Sequence, residues 1–152
     1  MRNRIQSLLS DNGYIVESFK DSIHALEELS GSIKAPYTLI ISSYMMPKMK
    51  GDEILKKARS ISPDTQRLLI ADSADLKTMI NAINSAGIDS CLTLPFQDED
   101  LLNQTKFCCS HYETITQQQN LKRFTQRQNK QLFQIANNFK KKGLFYVKQA
   151  KD

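Results

Sequence analysis

The sequence predicts a doubly wound parallel α/β domain that continues into a long basic helix. Short apolar runs recur at residues 37–41, 67–71 and 90–93, and segments with helical periodicity lie between them. Strands that are apolar throughout, rather than at every second position, are typical of parallel sheets covered on both faces. Residues 99–142 contain neither proline nor glycine, and such a stretch exceeds the length of an ordinary globular helix. The chain of 152 residues has room for one such domain and an appendage.

The elements of the predicted domain follow from hydrophobic periodicity and from the residues that start helices. The first helix has Ile5, Leu8 and Leu9 on one face. Asp21 or Ser22 can cap the second helix. In chain order, the predicted helices occupy residues 2–12, 22–29, 52–60 and 74–86, and the predicted strands occupy residues 14–19, 37–41, 67–71 and 90–93.

The net charge of +5 is distributed unevenly along the chain. Residues 1–100 contain 11 Lys/Arg and 14 Asp/Glu, whereas residues 101–152 contain 10 Lys/Arg and only Glu113 and Asp152 as acids. The basic character therefore belongs to the C-terminal part of the chain. We predict an α/β domain at residues 1–115 and a basic helical extension at residues 116–152.

The predicted extension carries a weak heptad pattern. Polar residues at core positions weaken a coiled coil, so the sequence leaves a coiled-coil homodimer and a lone projecting helix open. Its Lys/Arg residues could contact phosphates of nucleic acid, but no recognition helix, zinc spacing or aromatic platform accompanies them. A solvated basic helix face is the preferred interpretation. The heptad positions are Leu121, Thr125, Gln128, Leu132, Ile135 and Phe139.

Composition argues against membrane and secreted classes of protein. No run of about 18 apolar residues is present, so we expect no membrane span. The first residues lack the apolar stretch of a secretory signal. Cys91, Cys108 and Cys109 have no metal-ligand spacing, so we expect free thiols, no bound metal and a cytoplasmic location.

The segment at residues 39–51 carries a spacing that is specific to one family. After an apolar strand, the pattern Met-Pro-x-Met-x-Gly is formed by Met46, Pro47, Met49 and Gly51. Three further matches follow in order: a strand end and helix start at residues 71–76, an Ala-Gly-Ile turn at residues 86–88, and a run at residues 92–96 that contains Pro95. In this arrangement, residues 2–115 resemble response-regulator receiver domains.

The resemblance implies both a fold and a chemistry. The fold is flavodoxin-like, with the strand order 2-1-3-4-5. In this family an aspartate after the third strand accepts a phosphoryl group as an acyl phosphate. Two acidic residues after the first strand hold Mg²⁺, which neutralises charge on the transferred group. A hydroxyl at the end of the fourth strand contacts the phosphate, and a lysine before the proline of the fifth strand supplies a cation.

These reactive groups are missing at the matching positions. Ser43 stands at the aspartate position, Ala71 at the hydroxyl position and Leu94 at the lysine position. A serine forms no acyl phosphate, an alanine donates no hydrogen bond from its side chain, and a leucine carries no charge. We therefore expect no phosphorylation, no bound Mg²⁺ or other cofactor, and no enzymatic activity.

The acidic pair and the first strand of the family cannot be placed in this sequence, since counting back from Gly13 puts them before Met1. Three alternatives follow. The strand was left out of the sequence as given, the sheet closes in the order 2-3-4-5, or a second copy supplies an element. A four-stranded sheet stabilised by association is the preferred prediction.

Together these expectations describe a pseudo-receiver that works in two-component-type signalling without taking a phosphoryl group. It would bind a signalling protein, or a second copy of itself, through the face formed by the family's fourth helix, fifth strand and fifth helix. Two alternatives remain open: the basic extension binds nucleic acid, or the chain is a fragment of a larger regulator with an output domain. The resemblance also implies a cis peptide bond before Pro95.

Overall fold

The computed structural model describes residues 1–72, 76–143 and 149–150. Its elements alternate between helices and strands in the order that the sequence predicts, with one exception described below. The elements are α1 (Arg2–Asp11), α2 (Ser22–Gly31), β1 (Leu39–Ser43), α3 (Gly51–Ile61), β2 (Gln66–Asp72), α4 (Leu76–Ala86), β3 (Ser90–Leu94) and α5 (Asp98–Lys142).

The three strands form a parallel sheet in the order β1-β2-β3. Leu39 pairs with Gln66 at the start of β1, and Ser43 pairs with Ile70 at its end. On the other side of β2, Ala71 lies opposite Thr93. The central strand is buried from its first residue to its last but one, which explains why residues 68–71 are apolar without alternation.

Each face of the sheet is covered by its own hydrophobic cluster. Leu68 and Ile70 of β2 pack with Leu101 of α5, and side chains of α1 lie against this group. The alternate residues Leu69 and Ala71 face the opposite side, since successive side chains of a strand point to opposite faces. There the cluster includes residues of α3 and α4, and α2 packs against α3. Helices on both faces confirm the parallel α/β class.

The prediction of a strand at residues 14–19 is wrong, and so is the prediction of a four-stranded sheet. Residues 14–19 form no strand, and the sheet of the described chain has three strands. A strand is defined by its hydrogen-bonded neighbour, and a large cavity separates this segment from β1. The other sequence-predicted helices and strands are present, with ends shifted by one or two residues.

The chain divides into two compact units, Met1–Thr114 and Ile115–Asp152. In the second unit, helix α5 continues to Lys142, and nearly all of its side chains from residue 121 onwards are exposed. No helix among the described residues is both long and apolar enough to cross a membrane. Within the family match at residues 71–76, residues 73–75 lie outside the described residues.

Candidate functional site

The carboxyl ends of the three strands bring together the positions that the sequence singles out. Ser43 is the last residue of β1, and Leu94 is the last residue of β3. Ala71 is the last but one of β2. Strand pairing places Ser43 beside Ile70 and Ala71 beside Thr93, so all three positions lie along one edge of the sheet. We call this the carboxyl edge.

The side chains at these three positions are apolar or half-buried. Ala71 is 2% exposed and belongs to the core cluster on the α3 and α4 face. Leu94 packs against the cluster on the other face. Ser43 is half-buried and presents the only side-chain hydroxyl of these three positions. The peptide bond between Leu94 and Pro95 is cis, as the resemblance implies.

Glycine is required at position 51 for a steric reason that the sequence alone does not show. A Cβ atom added at Gly51 would lie 2.1 Å from the Ser43 carbonyl oxygen and 2.8 Å from its carbon. No side chain fits at that distance, so α3 can begin beside the end of β1 only with glycine at this position.

The loop between β1 and α3 is held by backbone hydrogen bonds around Tyr44. The Tyr44 amide donates to the Ile70 carbonyl at 2.7 Å, and the Tyr44 carbonyl accepts from the amides of Met46 (3.1 Å) and Gly51 (2.9 Å). The Met49 amide donates to the Pro47 carbonyl at 2.8 Å. Met46 and Met49 are half-buried and Pro47 is exposed, so the family motif forms a folded loop here.

Two lysines supply the positive charge near this loop. The Lys50 ammonium lies 5.5 Å from the centre of the buried Tyr44 ring. A hydrogen bond with the Tyr44 side chain is the main cause that raises the pKa of Lys50. Lys48, whose φ is 68°, places its ammonium 3.6 Å from an Asp21 carboxylate oxygen.

Asp21 is committed to a structural role. Its carboxylate accepts a hydrogen bond from the Ile23 amide and caps α2, and this bond is the main cause that lowers the pKa of Asp21. A capping carboxylate at a helix N-terminus needs no ligand to explain it.

The groups present do not fit the Mg²⁺ ion that the family implies. Mg²⁺ is held by carboxylates and phosphate oxygens, whereas the three family positions at the carboxyl edge offer a hydroxyl at Ser43 and hydrocarbon at Ala71 and Leu94. Among the last residues of the three strands, Asp72 of β2 is the single carboxylate. No group of three His, Cys, Asp or Glu side chains suited to a metal ion occurs among residues 1–72, 76–143 and 149–150. The cysteines are free thiols, and burial raises the pKa of Cys108 to about 11.

The opposite edge of the sheet holds a buried polar cluster that sequence reasoning missed. Arg67 is 5% exposed and donates to the Asp89 carboxylate at 3.0 Å and to the Gly87 carbonyl at 2.7 Å. It also donates to the Thr65 and Pro63 carbonyls. Burial is the main cause that lowers the pKa of Arg67. We call Arg67 and its partners Asp89, Gly87, Thr65 and Pro63 the amino edge.

A second feature of the structure lies beside β1. A cavity of about 1430 Å³ separates β1 from the segment at residues 14–19. We call this cavity the β1 slot. Two features of the sequence relate to it: the strand prediction at residues 14–19, which is wrong, and the first strand of the family, which cannot be placed in this sequence.

The fold and the family motif define a class, and comparisons with known proteins agree. The model of the response regulator receiver domain matches residues 1–106. A transcriptional regulatory protein CpxR homolog of Haemophilus influenzae is 32% identical over 102 residues, which cover 67% of this chain and 42% of that protein. The receiver protein CpdR of Brucella abortus is 30% identical over 68% of this chain and 83% of that protein. This chain belongs to the response regulator receiver domain family.

Solved structures show the same architecture. The adenylate cyclase from Rhodopirellula baltica aligns with a TM-score of 0.73 and 28% identity, over 78% of this chain and 86% of that one. The signal receiver domain of an HD domain-containing protein from Pseudomonas fluorescens aligns with a TM-score of 0.68 and 30% identity, over 76% and 82% of the two chains. The chain spans less than half the length of the first curated relatives that it matches.

Proposed function

We propose that this chain is a receiver domain that takes no phosphoryl group, is not an enzyme, and acts in the cytoplasm by binding a signalling partner. The chemistry of the carboxyl edge carries this proposal. Ser43, Ala71 and Leu94 occupy the strand ends where the family's reactive groups belong, and none of them has a carboxylate, a switching hydroxyl or a cation in the required place. Loss of one group could be compensated by a neighbour, but three independent losses could not.

Incubation with Mg²⁺ and acetyl phosphate, or with a beryllofluoride mimic, tests the loss of phosphorylation. We expect no added mass and no change in the amide spectra of residues around Ser43. A receiver with an intact aspartate serves as the positive control under the same conditions. A specific mass increase, or shifts confined to the neighbourhood of Ser43, would contradict the proposal.

The face formed by α4, β3 and α5 is the proposed interaction surface. Ile80 and Ile83 of α4 and Phe107 of α5 are exposed apolar side chains, and in this proposal they contribute to the surface that the partner covers. Sedimentation of the intact chain should reveal a dimer that the double variant Ile80→Lys/Ile83→Lys lacks. If the double variant sediments like the intact chain, this face is excluded as the self-association surface.

The extension supports the alternative of a coiled-coil dimer. Leu121, Leu132 and Ile135 are exposed on α5, as expected for a helix stripe that pairs with another helix. Sedimentation of the intact chain against a chain ending near Leu121 tests this. A loss of dimer on truncation would place the interface in the extension, and equal masses would exclude it.

Nucleic-acid binding by the extension is the second candidate function. Residues 114–151 contain no acidic side chain, and the cations from Lys122 to Lys142 are exposed on α5. Phosphate contacts weaken steeply with salt, so an anisotropy titration with duplex DNA across salt concentrations is decisive. Absence of binding at about 50 mM salt would exclude this function.

A place in a larger regulator is the third proposal. The chain covers 42% of the CpxR homolog, so the curated relatives carry sequence beyond the matched part. The genomic reading frame on both sides of residues 1–152 decides whether an output domain and a first strand belong to this protein.

A further inference from the structure

Helix α5 carries a stripe of exposed apolar side chains beyond residue 120. Its members are Leu121, Phe124, Leu132 and Ile135, and each is more than half exposed. They are separated by intervals of 3 and 11 residues, which are close to whole turns of a helix with about 3.6 residues per turn. The four side chains therefore lie within about 80° of one another around the helix axis. We call these four residues the apolar stripe.

The same segment is strongly basic. Residues 114–151 contain nine Lys/Arg and no acidic residue. Lys122 and Arg127 flank the apolar stripe on its two sides, about 100–120° from its centre. The ion pairs found in the described part of the chain include none of the cations of α5 beyond residue 120. A partner that matches this helix must therefore supply both negative charge and an apolar environment.

A second copy of the helix supplies the apolar surface but not the negative charge. Because residues 114–151 of either copy contain no acid, two paired helices form no salt bridge between them there. Gln128 lies at the centre of the apolar stripe and would be buried in the seam between two helices, where an amide without a partner costs free energy. At the boundary between lipid headgroups and acyl chains, water and phosphodiester groups form hydrogen bonds with such an amide.

Nucleic acid supplies the negative charge but not the apolar environment. Its phosphates pair with the cations, and the apolar stripe then stays in water. An anionic bilayer supplies both, because the apolar face of an interfacial helix enters the acyl boundary by about 5–10 Å while Lys and Arg extend to the headgroups. Phe and Leu are typical of the buried face of such helices. Lying on a bilayer does not require the long apolar run that a membrane span requires.

We propose that residues 121–142 of α5 bind the surface of an anionic phospholipid bilayer, with the apolar stripe in the acyl boundary and the flanking cations at the headgroups. This binding holds the domain at a membrane surface, where it meets its signalling partner. A surface-bound helix does not cross the bilayer, so the binding is compatible with the proposed cytoplasmic location. The proposal does not depend on the loss of phosphorylation.

The first test is cosedimentation of the 152-residue chain with sucrose-loaded vesicles. Vesicles of equal parts phosphatidylglycerol and phosphatidylcholine should bind the chain at about 50 mM salt, and the binding should weaken as the salt concentration rises. Vesicles of phosphatidylcholine alone should bind the chain about tenfold more weakly or less, because they lack the surface potential that attracts Lys and Arg.

The chain contains no tryptophan, so an introduced indole reports the orientation of the helix. Phe124→Trp places the indole on the apolar stripe. Phe133→Trp places it at another exposed position, about 140° from the centre of the stripe. On anionic vesicles with brominated acyl chains, the emission of Phe124→Trp should shift to shorter wavelength and be quenched, whereas the emission of Phe133→Trp should change little. This matched pair requires no variant that loses binding.

Two double variants separate the apolar contribution from the charge contribution. Leu132→Gln/Ile135→Gln removes apolar surface at constant charge and should weaken vesicle binding by about tenfold or more, while its binding to duplex DNA stays that of the unaltered chain. Lys122→Gln/Arg127→Gln should weaken vesicle binding by about tenfold or more at low salt. Phe133→Gln is the matched control and should change vesicle binding little. Circular dichroism of each variant checks that the helix content is retained.

Three outcomes would overturn the proposal. The first is absence of binding to the anionic vesicles. The second is an equal response of Phe124→Trp and Phe133→Trp to the brominated lipid, which would show that no particular face of the helix enters the bilayer. The third is a Leu132→Gln/Ile135→Gln variant that binds vesicles as tightly as the unaltered chain but no longer forms a dimer in sedimentation, which would assign the apolar stripe to a second copy.

Discussion

The two edges of the sheet differ in what their polar groups do. At the amino edge, Arg67 is buried and bonded to Asp89 and to three carbonyls. At the carboxyl edge, where the family carries its chemistry, the side chains of Ala71 and Leu94 are hydrocarbon. A buried charge is tolerated only with full hydrogen bonding, so the amino edge preserves the fold. The carboxyl edge retains its loop geometry and carries Ser43, Ala71 and Leu94 at its family positions.

The largest expected effect comes from breaking the amino edge. Arg67→Ala removes the cation from Asp89 and leaves the Gly87, Thr65 and Pro63 carbonyls without their donor. Breaking a buried pair by removing one partner costs about 3–5 kcal/mol, and we expect a loss of that size in the free energy of unfolding by urea denaturation.

The exposed Lys57 provides the matched control for this experiment. Lys57→Ala also removes one cation, but from a solvated position, so a change below about 0.5 kcal/mol is expected. Equal effects of the two variants would show that the hydrogen bonds of Arg67 do not stabilise the fold.

A smaller effect is expected from overfilling the carboxyl edge. In Gly51→Ala the new methyl group would lie 2.1 Å from the Ser43 carbonyl oxygen, so α3 or the end of β1 must move. Overpacking of this kind costs about 1–3 kcal/mol, measured as a lower midpoint in thermal or urea unfolding.

Gly31 is the control for this second comparison. A Cβ atom there meets no atom within 4 Å, and alanine is favoured over glycine in a helix by up to about 1 kcal/mol. Gly31→Ala should therefore be neutral or stabilising. Destabilisation by both substitutions to the same extent would contradict the steric role assigned to Gly51.

The sequence was informative where structure depends on local pattern. The helices and the central strand follow from periodicity, and Asp21, one of the two predicted cap residues, does cap α2. Gly51 matches the family motif in the sequence. Only the distance from its position to the Ser43 carbonyl shows why a side chain is not tolerated there. Hydrophobic pattern carries this information because each element must bury one face.

The sequence failed where structure depends on distant neighbours. Residues 14–19 have strand-like composition, yet a strand also needs a partner, and the β1 slot separates this segment from β1. The burial of Arg67 depends on Asp89, which is 22 residues away, and arginine is ordinarily exposed. Neither contact leaves a periodic signal in a single sequence.

Substitution at the hydrogen bond between Gln66 and His111 tests whether the stabilising contacts extend beyond the amino edge. Gln66 is 1% exposed, and its side-chain oxygen lies 2.8 Å from His111 Nδ1. His111→Ala removes this partner, but water can reach a group next to an exposed histidine, so a loss of about 1 kcal/mol is expected. Lys106→Ala, at an exposed position of the same helix, should have no measurable effect. If the two variants unfold at the same urea concentration, the bond to Gln66 adds nothing to stability.

The smallest effect is expected when one group is restored at the carboxyl edge, since we expect that this restores no phosphorylation. Ser43→Asp supplies the missing carboxylate, but Ala71 still donates no hydrogen bond and Leu94 still provides no cation for the phosphoryl oxygens. We expect no mass increase with acetyl phosphate and Mg²⁺ in this variant, as in the unaltered chain. Phosphorylation of the variant would show that one substitution alone accounts for the loss, and that the carboxyl edge otherwise retains its function.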